Sequence, residues 1–272
     1  MTDLPPTEPA HPPTELAAGA RPLPFPPVRR IDPAAPLRWL AAGWRDLCAA
    51  PAASLFYGAA FALMGWLIYF VFRHAHEYTF ALTAGFLLLG PFLCTGLYDI
   101  SRRLASGQQV RLADTMTAWR ANLGAFSLFA LILTVVMLVW ARASLVTFAL
   151  FFSSGMPSLT GFLGRVASVE HWDFVLTYFG VGGVFALIVF ALSVVSVPLM
   201  LARGTDAVVA AITSVRALCA NPLPLALWAV LIVLLIGAGF ASLFLGLVVT
   251  VPVVGHATWH AYSDIVGQPG EH

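Results

Sequence analysis

Long apolar runs, each about as long as a bilayer-crossing helix or longer, constrain this chain more than any other feature. Such a helix needs about 20 mostly apolar residues, because its backbone groups must pair with one another where water cannot reach them. The first run contains Leu55–Phe72, starts after Pro51 and is ended by Arg73, His74, His76 and Glu77. The second extends from Tyr78 to Tyr98 and stops at Asp99 and Arg102-Arg103. Leu123–Ala141 is ended by Arg142, and Phe174–Leu201 by Arg203. Leu223 to Tyr262 is too long for one crossing and fits two, with Gly237-Ala238-Gly239 as the natural turn. The expected architecture is an all-α, polytopic membrane helix bundle of six transmembrane helices over 37–267, with a short carboxy-terminal tail at 268–272. Ala143–Phe152 is apolar but half a span long, and Ser153-Ser154-Gly155-Met156-Pro157 breaks it. Residues 143–170 are therefore expected as an interfacial or re-entrant piece.

Composition points the same way. The chain of 272 residues is 60% hydrophobic and 10% charged, with a mean hydropathy of +0.86. Soluble domains carry about 25% charge, so an ordinary water-soluble enzyme and a disordered chain are both excluded. A net charge of +1 gives no reason to expect nucleic acid. Cys48, Cys94 and Cys219 form no CxxC pattern and imply neither a disulfide framework nor zinc.

Residues 1–36 hold 11 of the 19 prolines. Proline fixes φ and removes a donor, so a disordered, polyproline-like cytoplasmic tail is expected there. No apolar segment follows Met1 closely enough to read as a signal peptide. Arginine placement sets the orientation. With the amino terminus inside, 11 of the 14 arginines fall on the cytoplasmic side, leaving Arg73, Arg142 and Arg165 outside. Both termini are therefore expected in the cytoplasm of a bacterial inner membrane.

The chain also repeats itself. Arg45-Asp46-Leu47-Cys48-Ala49-Ala50-Pro51 matches Arg216-Ala217-Leu218-Cys219-Ala220-Asn221-Pro222 at five of seven positions, each time just before an apolar run. Trp119-Arg120-Ala121-Asn122 is a weaker third copy. Each copy ends an amphipathic helix: Leu37, Leu40, Trp44, Leu47 and Cys48 share a face, as do Leu112, Met116 and Trp119, and Val208, Ile212, Val215 and Cys219. Such helices lie at headgroup level. Pro91, Pro198 and Pro252 recur near one end of every second run, followed eight residues on by Asp99, Asp206 and His260. Proline deletes a helical hydrogen bond, so three bends are expected. The expected design is three units, each an interfacial helix followed by a transmembrane hairpin.

Several segments resemble a bacterial family of integral membrane proteins, domain of unknown function 2189. They are Val197-Pro198-Leu199-Met200, Thr213-Ser214-Val215-Arg216, Asn221-Pro222, Gly246-Leu247, and above all the block from Pro252 to Tyr262, which includes Trp259. Gly90-Pro91-Phe92, Gly96-Leu97-Tyr98 and Ser101-Arg102-Arg103 resemble its second-span motif. The similarity covers about 28–267. Ala202 departs from it, standing before Arg203 where the family leads one to expect an acidic residue. The resemblance implies a polytopic inner-membrane protein with no established activity, some of whose relatives carry a label linking them to cytochrome c oxidase.

Candidate chemistry is thin. His256 and His260 are one helical turn apart, and histidine ligates haem iron and copper. Their depth beside Trp259 and Tyr262 equally suits a membrane-interface belt. His74, His76 and Glu77 could meet Glu170, His171 and Asp173 on the outer side. No nucleotide-binding or hydrolase motif is present. The expectation is a non-enzymatic accessory or regulatory membrane component with no cofactor. Its partners would be the lipid bilayer and another membrane complex, such as a respiratory one. A small transporter and a haem or copper protein are the alternatives. Asp99, close to Arg102 and Arg103, is expected at the interface, where losing an ion pair costs little. Pro198 is expected to set the position of the helix at 205–220.

Overall fold

A computed structural model of the chain describes residues 25–75, 78–151 and 172–267. Its regular elements are helices throughout: α1 (Ala35–Ala49), α2 (Pro51–His74), α3 (Thr79–Ala105), α4 (Leu112–Thr115), a 3-10 helix (Ala118–Asn122), α5 (Leu123–Phe151), α6 (Trp172–Ser193), α7 (Ser196–Arg203), α8 (Ala207–Ala220), α9 (Pro222–Ala241) and α10 (Leu247–Val266). Among the described residues, four stretches are long and apolar enough to cross a bilayer: Pro51–His74, Leu112–Phe151, Trp172–Arg203 and Pro222–Ala241.

The centre of the bundle is α10, which buries 13 of its 20 residues. It packs against α1, α2, α3 and α9. Close approach is possible because the neighbours present glycine. At Gly43 of α1 a Cβ would sit 2.6 Å from the carbonyl oxygen of Val253, and at Gly58 of α2 it would collide with the backbone of Val248. Trp39 and Trp228, both buried, meet edge to face at 5.9 Å and fill the layer beside α10. A second group, α5 to α8, packs around the pair α5–α6.

The two close copies of the repeated heptapeptide make the same junction. α1 ends at Ala50 (φ −133°, ψ 60°) and α8 at Asn221 (φ −134°, ψ 55°), and in each case proline opens the next helix. The residue before proline is pushed out of the helical region, which ends one helix, and proline suits the first turn of the next. The third copy lacks proline; its 3-10 helix runs straight into α5.

Four expectations change. The helix α5 continues past Arg142 to Phe151, because one exposed arginine does not break a helix and the first breakers come at Ser153-Ser154-Gly155. The remainder of 143–170 lies outside the described residues. The turn expected at Gly237-Ala238-Gly239 falls instead at 242–246, with Leu243 (φ 55°) and Phe244 (φ 67°) in the left-handed region. Gly239 serves packing, since a Cβ there would meet Leu247 at 2.5 Å. Residues 25–36, assigned to the tail, are placed against the bundle. The backbone N–H of Arg29 donates to the carbonyl of Ile265 at 2.8 Å, and α1 already begins at Ala35. Residues 1–24 lie outside the described part. Finally, only the proline at 198 accompanies a break. The helix lapses at Val194-Val195 and restarts as α7, four residues before Pro198, where the ring would clash with a carbonyl. Positions 91 and 252 lie within the uninterrupted helices α3 and α10.

Candidate functional site

His256, His260 and Asp264 lie at four-residue spacing on one face of α10 and find their partners on α1, α2 and α3. His256 is fully buried. Its Nε2 pairs with Ser54 Oγ of α2 at 2.9 Å and its Nδ1 with Ser101 Oγ of α3 at 2.8 Å. Ser101 also lies beside the carboxylate of Asp46 on α1, and that carboxylate accepts from His260 Nε2 at 2.8 Å. One turn on, Asp264 accepts from Trp39 Nε1 at 2.7 Å. A carboxylate only accepts, so Ser101 donates to Asp46. Ser101 then accepts from His256 Nδ1–H, and His256 Nε2 accepts from Ser54. From Ser54 through His256 and Ser101 the donation thus runs toward Asp46, which accepts from His260 on its other side.

Burial pushes the Asp46 carboxyl up, but the hydrogen bonds from His260 and Ser101 and the nearby histidines outweigh it. The net shift is below the ordinary 3.8. The line opens to the surface at His260, whose side chain is partly exposed.

Ring nitrogens of both histidines are engaged within the bundle. Both ring nitrogens of His256 already face serine hydroxyls, and His260 lies on the same helix face, turned to Asp46. Among the described residues no group of three His, Cys, Asp or Glu side chains could hold a metal ion. In the outer cluster, His74 bonds the carbonyl of Phe70 and stacks on its ring, and Asp173 is exposed. His76, Glu77, Glu170 and His171 lie outside the described residues.

The other singled-out residues do separate jobs. Asp99 is buried within the protein, where a more solvated pair is expected from the sequence: its side chain is 1% exposed, held by Arg102 and by Arg103 Nε at 2.7 Å. Asp206 caps α8, accepting from the backbone N–H of Val208 and Val209 at 3.0 Å. Asn221 is one of the two repeat positions that change between copies, and it clips the amino-terminal segment. Its Oδ1 accepts from Ile31 N–H and its Nδ2 donates to the Arg29 carbonyl, both at 2.9 Å. Pro222 starts α9. Trp259 and Tyr262 are buried, with ring centroids 5.3 Å apart, so they are core residues and no interface belt.

On α1 and α8 apolar side chains lie on both faces, and Trp39 and Leu47 of α1 are buried. Small residues turn inward: Ala42 and Gly43 of α1, and Ala207, Ala210, Ala211 and Ala217 of α8. Trp44 (53% exposed), Leu37, Val208, Ile212 and Val215 turn outward.

Sequence reasoning missed Ser54, Ser101 and Asp264, and it placed Asp46 on a polar outer face. The four-residue spacing of His256, His260 and Asp264 was the available signal.

An all-helical chain with several apolar, bilayer-length helices and its ionisable groups paired inside the bundle is an integral membrane protein. Residues 79–202, a little under half of the chain, match the family described as predicted integral membrane protein, domain of unknown function 2189. The match takes in Gly90-Pro91-Phe92 and Val197–Met200 and is narrower than the resemblance, leaving out the block from Pro252 to Tyr262. No curated protein and no solved structure matches the chain.

Proposed function

We propose that the chain is a six-span protein of the bacterial cytoplasmic membrane with both termini inside, built as three units of an interfacial helix and a hairpin. We propose further that it serves, without enzymatic activity and without haem or copper, as an accessory or regulatory component of another membrane complex. The helices α3 and α10, of 27 and 20 residues, are long enough to add two crossings to the four apolar stretches. The arginine bias and the shared α1–α2 and α8–α9 junctions support the orientation and the repeat.

The observation that carries the functional part is the outward turn of α1 and α8. Leu37 and Trp44 of α1 and Val208 and Ile212 of α8 are exposed, while Trp39 and Leu47 of α1 are buried and the polar groups nearby close on one another inside. A surface of this kind is suited to a headgroup layer or a neighbouring helix. Affinity purification of the tagged full chain from gently solubilised membranes tests it. The expected result is a reproducible partner set that Trp44→Ser and Ile212→Ser diminish. No reproducible set, or one indifferent to both substitutions, rejects the reading. A haem absorbance band or stoichiometric copper in the purified protein rejects the cofactor-free part.

A further inference from the structure

A cleft of about 580 Å³ lies between α2 and the start of α5, backed by α3 and crossed at one end by α4 and the 3-10 helix. Its origin is local. Tyr57 is drawn against Gly96 of α3, where a Cβ would collide with the phenol ring. The Tyr57 hydroxyl meets Thr115 Oγ1 at 2.9 Å, and Thr115 donates to the carbonyl of Leu112 at 2.9 Å. The polar end of the cleft is therefore closed on itself and offers a ligand no free hydroxyl donor. One turn along α2 the lining residue is only Ala60, which leaves the space open.

Two features identify the occupant. The mouth is bordered by Leu63 (70% exposed), Leu89 and Leu123, on helices that include two of the bilayer-crossing stretches. What enters comes from the hydrocarbon layer and is apolar along its length. At the rim, the Arg120 guanidinium lies 5.5 Å from the centre of the Trp119 ring, and Trp119 lines the cleft. Arg120 is exposed and has no carboxylate partner among the described residues. A concave apolar volume of this size is what a ligand site needs, and an unpaired cation at its edge selects an anion.

We propose that the cleft holds one acyl chain of an anionic phospholipid, with the lipid phosphate at Arg120. Lipid that merely coats the bundle needs neither the concavity nor the cation.

The full chain, purified in mild detergent, is exchanged into phosphatidylglycerol or phosphatidylcholine of identical chains. The lipid kept after washing is then counted by native mass spectrometry. The wild type is expected to keep one phosphatidylglycerol, favoured about fivefold over phosphatidylcholine, as one arginine near a headgroup provides. Arg120→Gln should abolish that preference while a chain remains bound. Ala60→Trp should abolish retention, and Val233→Trp, on the exposed face of α9, should leave it intact. Because Arg120 is exposed, its variant carries the test if Ala60→Trp fails to fold. Equal retention of both lipids by wild type and Arg120→Gln overturns the proposal. So does loss in Val233→Trp as large as in Ala60→Trp, which would mean coating lipid only.

Discussion

At the scale of single residues, this protein places its few polar side chains where they fasten helices together. His256 joins α2, α3 and α10 in one imidazole. Replacing it by alanine removes a packed ring and leaves Ser54 and Ser101 partly unpaired. His256→Ala is expected to lower stability by about 3 kcal/mol, read as a drop in melting temperature in detergent. Asp46 gives a pH signature of definite sign. Its carboxyl is held below 3.8 in the folded chain. Its stabilising contribution is therefore fully present above the unfolded value and is lost as pH falls through the folded one. The stability gap between wild type and Asp46→Asn is expected to be constant from pH 7 to pH 5 and to shrink below about pH 4, as melts across that range would record. Asp99→Asn, expected from sequence to be harmless, should cost about 2 kcal/mol. A buried carboxylate facing two arginines leaves both cations underpaired when it is neutralised, although the 42% exposure of Arg102 moderates the loss. What sequence made legible at this scale was residue type and spacing, as with His256 and His260. Depth was not legible, because Asp99 and Tyr262 are buried by helices far away in the chain.

The elements show the same division. Every apolar run became a helix, and the junctions before Pro51 and Pro222 were readable because proline acts locally on the residue before it. The 237–239 turn was misplaced for the opposite reason. Glycine marks either a turn or a tight packing site, and only the neighbour, here Leu247, decides between them. The true turn puts Leu243 and Phe244 at positive φ, which costs a residue bearing a Cβ about 1–2 kcal/mol. Phe244 gains contact with Trp66 and Phe240 in exchange, while Leu243 is exposed. Leu243→Gly is therefore expected to stabilise the protein by about 1 kcal/mol, seen as a raised melting temperature, whereas Phe244→Gly should destabilise it. Pro198→Ala tests the break between α6 and α7. Restoring the hydrogen bond should fuse α6 and α7 and pull Met200 away from Asn122, whose side chain donates to its carbonyl at 3.2 Å. Spin labels at Leu187 and Ile212 would report the change as an altered distance distribution.

For the whole molecule, the proposed topology is tested by reporter fusions. Those at residues 30, 107 and 268 are expected to report cytoplasm and those at 75 and 165 the opposite side. An outside signal at 268 would mean an odd number of crossings. The centrality of α10 bears on how the chain is assembled. The ribosome releases α1, α2 and α3 before the helix they surround exists. Until α10 emerges, Gly43 and Gly58 have no backbone to touch, and Ser54, Ser101 and Asp46 lack the imidazoles that satisfy them. The half-made chain is therefore an open ring around a missing axle, held in the membrane by hydrophobicity alone. Its sequence must tolerate that interval until α10 has been delivered.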